Sequence, residues 1–292
     1  MRIFVTGATG WIGSATVPEL IGCGHEVVGL ARSAESEDKL KKMGAEVLKG
    51  SLEDLDTLHK GAANSDGVIH LAFVHDFSQM AEAIKIDATA IQKIGTALEG
   101  SDKPFLIASG TPYIQNKIAT EKDKPASTGP LAARGASEQI MLDLANKGVR
   151  TAIIRLPRSV HGKGDHGFMA RLIDLARQKG VSGYVGDGSN RWPAVHVKDT
   201  ANLIRLAVEN AQAGSVLHAV GDEGVAQLDF TNVIGSHLEV PVKSVSPEEL
   251  GFLGVVLSSN MPASSHITQE ILGWKPVQPG LLEDLDKGHY FD

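Results

Sequence analysis

The segment Thr6-Gly7-Ala8-Thr9-Gly10-Trp11-Ile12-Gly13 follows the apolar run Ile3-Phe4-Val5 and precedes an amphipathic stretch carrying Ala15, Val17, Leu20 and Ile21. No other short pattern in the chain restricts the fold as much, because it reads as strand, glycine turn and helix in immediate succession. Such a turn aims unpaired backbone N–H groups and the positive end of a helix dipole at one point, the arrangement that holds a dinucleotide pyrophosphate. Gly7 permits the tight turn, Gly10 the close approach of a phosphate, and Gly13 the packing of helix on strand. The backbone of Thr9, Trp11 and Ile12 completes the cradle. The glycines are spaced three and three rather than two and three, so the usual dinucleotide fingerprint applies only in modified form.

The remainder alternates in the same manner. Further apolar runs occur at Val27-Val28-Gly29-Leu30, Glu46-Val47-Leu48, Gly67-Val68-Ile69-His70-Leu71, Phe105-Leu106-Ile107-Ala108 and Thr151-Ala152-Ile153-Ile154. They are short and rich in branched residues, as parallel strands covered on both faces should be. Between them lie helical patterns, such as Met80 to Leu98 with Ala83, Ile84, Ala88, Ile91, Ile94 and Leu98 on the apolar side. The expected fold is α/β, a doubly wound parallel Rossmann sheet, with ligands outside the carboxyl ends of the strands. The loops beginning at Gly7, Ala31, Ala72, Ser109 and Pro157 are therefore where site residues are sought.

After Pro157 comes a glycine-rich segment from Val160 to Gly167, then a helical pattern from Phe168 to Gln178, then Gly186-Asp187-Gly188. A helix from Thr200 to Asn210 and a strand from Val216 to Val220 are expected to return to the main sheet. The remainder, punctuated by Pro241, Pro247, Pro262, Pro276 and Pro279, reads as a smaller carboxyl-terminal, substrate-facing subdomain. The expected division is 1–157 with 193–222 for the Rossmann domain, and 158–192 with 223–292 for the subdomain.

A formal charge of -7 over 292 residues, with no offsetting basic cluster, argues against a nucleic-acid partner. Lys39, Lys41 and Lys42 lie beside Glu35, Glu37 and Asp38 as a solvated helix face. The lone Cys23 excludes an internal disulfide or thiolate metal cluster and fits a reducing compartment. No apolar run approaches a membrane span, and the first residues read as a strand rather than a signal, so a cytoplasmic protein with a small-molecule substrate is expected. No histidine and carboxylate spacing suggests a metal site, and no Gly-x-Ser-x-Gly elbow suggests a hydrolase. Oligomeric state is left open.

In order along the chain stand the Gly7-x-x-Gly10-x-x-Gly13 turn, His70-Leu71-Ala72, Ser109, Arg155-Leu156-Pro157, Gly186-Asp187-Gly188 followed by Arg191, Val195-His196-Val197-x-Asp199, and Leu272-Gly273-Trp274-x-Pro276. This succession resembles the extended and atypical short-chain dehydrogenase/reductases, the nucleotide-sugar epimerase/dehydratase-like group. The resemblance implies cofactor contacts from Leu71, Ala72 and Phe73, from Ser109, and from Pro157. It also implies a catalytic tyrosine, a lysine four residues later and a glutamate four beyond that. Taking Glu138 as the glutamate puts Arg134 at the lysine position and Pro130 at the tyrosine position. Carbonyl reduction needs a proton as well as a hydride, and proline supplies none. Arg134 can hydrogen-bond a nicotinamide ribose and add positive charge but is a poor proton relay. The closer resemblance is therefore to the atypical branch, which keeps the cofactor motif without the tyrosine and lysine.

At the end of the second strand, Leu30-Ala31-Arg32-Ser33 carries an arginine and a hydroxyl where an acidic residue would bind a ribose 2′-hydroxyl. This favours NADP over NAD. The resemblance also places Ser51 and Leu52 against the adenine. Replacement proton donors are sought among His75, Tyr113, His161 and His166, with His166 and Tyr113 ranked first. Arg134 is the cation that would tune Tyr113. His161 stands where the family has an aromatic packing residue. Arg191 matches the position that holds substrate phosphate in nucleotide-sugar members, and Trp192 beside it offers a stacking wall. The catalytic candidates are Ser109, Tyr113, Arg134 and His166; the substrate-binding candidates are His75, His161, His166, Arg191 and Trp192. Three functions stay open: an NADP-dependent oxidoreductase for a small carbonyl or hydroxyl compound, a non-catalytic NADP-binding regulator, and a nucleotide-sugar epimerase or dehydratase.

Overall fold

The computed structural model describes residues 1–74, 79–125 and 132–292, without the side chains of 132–134. In β1 (Arg2–Thr6) the side chains alternate across the sheet. Ile3 and Val5 enter one core with Val17 and Leu20 of α1 (Trp11–Gly22), while Phe4 enters the opposite core with Leu58 and Ala62. The parallel partners of β1 are β2 (Glu26–Ala31) and β4 (Gly67–His70), and β3 (Glu46–Lys49) lies at the edge beyond β2. α2 (Ala34–Lys42) and α3 (Leu55–Ala63) make the crossovers. α4 spans Met80–Leu98, the bounds the apolar spacing predicts. β5 (Pro104–Gly110), α5 (Ala132–Ala145) and β6 (Arg150–Leu156) follow.

The chain then leaves the main sheet. β7 (Ser159–His161) and β9 (Arg191–His196) pair in parallel, separated by α6 (Phe168–Lys179) and β8 (Ser182–Val185). α7 (Val197–Asn210) brings the chain back against α1, and β10 (Ser215–His218) completes the seven-stranded parallel sheet in the order β10-β6-β5-β4-β1-β2-β3. The boundary expected at 193 falls inside β9, whose partners are β7 and β11 (Asp222–Ala226). α7 begins before the expected Thr200 because His196 caps it, its Nδ1 accepting the Lys198 N–H at 3.2 Å. α8 (Gln227–Leu238), β12 (Val242–Val245) beside β8, α9 (Phe252–Leu257), α10 (His266–Leu272) and α11 (Leu281–Asp286) make up the smaller unit. Its core gathers Met169, Leu172, Trp192, Phe230, Leu257 and Leu281.

Two of the quoted sequence motifs form one structural knot. The buried Trp274 donates through Nε1 to the Asp199 carbonyl at 3.1 Å, and the Asp199 carboxylate accepts the N–H groups of Val277 and Gln278 at 3.0 Å. The carboxyl-terminal unit is thereby tied to the start of α7. Strand order reverses between β1 and β4, and the glycine turn lies at that switch point, where ligands enter sheets of this type. Among the described residues no helix is long and apolar enough to cross a membrane.

Candidate active site

The three glycines of the turn have distinct stereochemical reasons. Gly7 has φ +68°, and a Cβ there would lie 2.6 Å from the Ala72 nitrogen. β4 exits that close to the turn because Thr6 accepts twice, its carbonyl from the Leu71 N–H at 3.1 Å and its hydroxyl from the Ala72 N–H at 3.3 Å. A Cβ on Gly13 would sit 2.1 Å from the Gly7 carbonyl oxygen, so any side chain would push α1 off the strand. A Cβ on Gly10 would meet only that same oxygen, at 3.2 Å. Protein packing therefore demands much less of Gly10, whereas a phosphate approaching the turn would demand a bare backbone there. Gly10 is also the N-cap of α1 and provides no side-chain cap, and the first turn holds no acid. The leading N–H groups of the helix remain available to an anion.

Around this turn the other cofactor candidates are arrayed on the strand exits. Arg32 is exposed directly after β2 and has no side-chain partner among the described residues. The Ser33 hydroxyl is already engaged, accepting the Ser36 N–H at 3.3 Å as the N-cap of α2. Ser51 Oγ accepts the Glu53 N–H at 3.2 Å, and Leu52 packs against the core on that side. Leu71, Ala72 and Phe73 are half-buried and Pro157 is buried. Beneath the β4 exit, Thr6 Oγ1 and His70 Nδ1 are 2.8 Å apart, His70 Nε2 is 3.2 Å from Asp87 Oδ1, and Ser137 donates to Asp87 Oδ2 at 2.8 Å. This buried chain closes without a free group and fixes the floor.

At the exits of β5 and β6 the side chains bind one another. Ser109 donates to Glu138 Oε1 at 2.7 Å, and Arg155 grips the same carboxylate through Nε at 3.1 Å and Nη2 at 2.7 Å. Arg155 Nη1 donates to the Asp123 carbonyl at 2.8 Å and lies 3.4 Å from His218 Nε2, whose ring donates through Nδ1 to the Ser264 carbonyl at 2.8 Å. Burial lowers the His218 pKa, so the ring stays neutral and can face the guanidinium. With its proton committed to Glu138, Ser109 offers a ligand lone pairs rather than a proton. Tyr113, on the loop after β5, is 49 % exposed.

His75 and Pro130 lie outside the described residues, as does the Arg134 side chain. His166 is exposed, with its ring edge-on to Trp11 at 6.0 Å, beside the glycine turn. Trp11 Nε1 donates to the Val160 carbonyl at 2.8 Å, which draws the 162–167 loop over the start of α1. Asp165 holds that loop, accepting the Gly167 N–H at 2.6 Å and the Tyr290 hydroxyl at 3.0 Å; burial raises the pKa of both Asp165 and Tyr290.

Two substrate candidates are placed differently from expectation. His161 is fully buried, its Nδ1 2.9 Å from Asp284 and its ring edge-on to His196, so it has no face open to a ligand. Trp192 is fully buried between Phe168 and Phe230 and offers no wall. The reason is alternation along β9: Trp192 points into the small core, and Arg191 next to it points to solvent. Arg191 reaches Asn260 Oδ1 through Nε at 3.5 Å and pairs with neither Asp187 nor Asp199. Sequence reasoning uses Glu138 and Arg155 only as markers and gives Arg158, Asp165 and Tyr290 no role. A cavity of about 860 Å³ on the flank of α1, lined in part by Lys163, Lys198 and Lys275, shares only Trp11 with the expected cofactor contacts.

Residues 3–220 match the model of the NAD dependent epimerase/dehydratase family, and the chain belongs to that family, within the extended short-chain dehydrogenase/reductases. It is 49% identical to an uncharacterized protein of Schizosaccharomyces pombe, over 100% of both chains. It is 30% identical to the decarboxylating sterol-4-alpha-carboxylate 3-dehydrogenase of Dictyostelium discoideum, over 78% of this chain and 74% of that one. Among solved structures, MoeE5 in complex with UDP-glucuronic acid and NAD superposes with a TM-score of 0.78 at 23% identity, covering 98% of this chain and 96% of the other. The family is of oxidoreductase type and dependent on NAD or NADP.

Proposed function

We propose that the protein is an NADP-dependent oxidoreductase of the atypical short-chain type, acting on a small carbonyl or hydroxyl compound with a non-standard proton donor. The observation that carries the reading is the uncapped, acid-free start of α1 behind Gly10. It fits a pyrophosphate, and the unpartnered Arg32 at the β2 exit fits a 2′-phosphate. The cofactor would supply the hydride. The proton for the carbonyl oxygen must come from the chain, and Tyr113 now ranks ahead of His166. Tyr113 is exposed on the loop after Ser109, whereas His166 packs at Trp11, nearer the phosphates than the reacting end. The dehydrogenase name of the Dictyostelium relative agrees with redox chemistry. Pro130 at the tyrosine position supports a second reading, cofactor binding without turnover. The absent tyrosine base also weighs against an epimerase or dehydratase, although the family model that matches residues 3–220 and the exposed Arg191 favour one.

The test is a broad carbonyl panel followed by NADPH oxidation, then Tyr113→Phe and His166→Ala on any active compound. Loss of the donor lowers turnover by roughly 100-fold to 10,000-fold and leaves NADPH affinity nearly intact. Activity surviving in Tyr113→Phe rejects it as the donor, and tight NADPH binding with no turnover on any compound moves the second reading ahead.

A further inference from the structure

Among the described residues Arg158 is a cation without an anion. It follows Pro157 at the carboxyl end of β6, the edge where this type of sheet takes its ligands. Its guanidinium lies 5.8 Å from the Phe168 ring centroid, and Nη2 lies 2.7 Å from Met261 Sδ. Among the described residues no carboxylate or carbonyl pairs with it. The other arginines withdrawn from solvent contrast sharply: Arg155 holds Glu138, Arg205 holds Glu19 and Glu209, and Arg150 donates to two carbonyls. A thioether is a weak acceptor and a ring face only partly compensates a guanidinium. Burial lowers the Arg158 pKa, which marks a charge held back from water. A cation in that position is costly until an anion completes it.

The surroundings point to the rest of the ligand. Phe168 stacks on Phe252 at 6.4 Å and tilts against Trp192 at 6.0 Å, so an aromatic run leads from the small core outward to Phe252, which is 55% exposed. The segment Asn260–Pro262 gathers the other parties. Met261 donates its N–H to the Arg191 carbonyl at 2.9 Å, and Pro262 accepts the Ala119 N–H at 2.9 Å from the loop that carries Tyr113. Arg158, Arg191 and the loop after β5 thus converge on one stretch of chain.

We propose that Arg158 is the anion-recognition residue of the substrate cleft, and that the substrate is an amphiphilic keto or hydroxy compound whose carboxylate or phosphate meets Arg158 while its apolar body lies along Phe168 and Phe252. The keto or hydroxy part rests on the oxidoreductase reading; the anionic and apolar parts do not.

The experiment measures binding to the NADPH-loaded full chain by titration calorimetry, using levulinate, phenylpyruvate, the methyl ester of each, and phenyl phosphate. The free acids bind at least about tenfold more tightly than their esters, the least that a charge-assisted contact gives. Arg158→Met, which keeps the packing length, brings the acids down to the level of the esters. Arg158→Lys retains a reduced preference because it keeps the charge and loses the planar fork. Phenyl phosphate binding as tightly as phenylpyruvate identifies the anion as phosphate or carboxylate alike; weaker binding identifies carboxylate. Equal binding of acid and ester to the wild type, no binding of any acid, or an acid preference that survives Arg158→Met overturns the proposal. Should Arg158→Met fail to fold, the acid-to-ester ratio of the wild type and its fall in Arg158→Lys decide. NADPH oxidation with no preference for acids sinks the anion site alone. An acid preference without any oxidation leaves the anion site standing and moves the reading of cofactor binding without turnover ahead of the oxidoreductase.

Discussion

At the β1–β2 end of the sheet the groups left open are the leading backbone N–H groups of α1 and the Arg32 side chain, whereas at the β5–β6 end the polar side chains mostly satisfy one another. The glycine turn closes on itself so tightly that Gly7 and Gly13 leave no room for a Cβ, yet the start of α1 stays uncapped. Around Ser109, by contrast, Glu138, Arg155 and His218 form a buried network, and outside it, among the described residues, Tyr113, Arg158 and Arg191 pair with no charged group, Arg191 reaching only Asn260 and Arg158 only Met261 and Phe168. One half presents an uncapped helix start shaped by chain geometry, which the proposed function assigns to an anion, and the other presents a few side chains without charged partners on a buried, hydrogen-bonded base.

The largest effect separating the halves is expected at Arg155, whose side chain is 3% exposed against Glu138. Arg155→Met leaves the Glu138 carboxylate buried and unpaired and should cost about 3 to 5 kcal/mol in urea unfolding, while Glu138→Leu added to it should restore much of the loss. In the cofactor half Gly13→Ala should cost about 1 to 3 kcal/mol through the clash with Gly7 and also abolish NADPH binding. A double variant no more stable than Arg155→Met, or a Gly13→Ala that binds NADPH normally, would erase the distinction between a side-chain base and a backbone cradle.

A smaller effect follows from pH. Burial lowers the pKa of both His218 and His196 below the ordinary 6.5. Below about pH 6.5 the unfolded chain then binds more protons at these rings than the folded chain does, so their contribution is complete above that pH and is lost as the pH falls. Stability should decline on acidification from pH 7, at up to about 1.4 kcal/mol per pH unit for each ring. His218→Gln should flatten that slope between about pH 7 and 5.5, a range chosen around the usual histidine pKa. An unchanged slope would remove His218 from the account of the β5–β6 base.

The same division separates what the sequence pattern determines from what only the fold brings together. β1, the glycine turn and α1 are adjacent in sequence, and α4 declares itself by periodicity, so local pattern suffices for both. The Glu138–Arg155 grip joins residues on a helix and a strand that only the fold brings together, and nothing in their spacing announces it. In the sequence His161 and Trp192 look like ligand contacts because the residues near them resemble a loop and a strand exit. Their burial follows from β7 and β9 pairing in a sheet outside the main one. Arg158 looked ordinary in Arg155-Leu156-Pro157-Arg158, since the absence of a counter-ion is a property of three dimensions. The Asp199 and Trp274 motifs were visible, but not that they form a single tie.

The claim that the β1–β2 end is a built site for a phosphorylated dinucleotide is tested most directly by titrating NADPH and NADH into the wild type and into Arg32→Ala. A charge-assisted contact to the 2′-phosphate is worth about 1.5 to 3 kcal/mol, so NADPH should bind the wild type about 10 to 150 times more tightly than NADH. Arg32→Ala should bring the two together while leaving NADH affinity as it was. Equal binding of both nucleotides by the wild type, or a preference for NADPH that persists without Arg32, would contradict it.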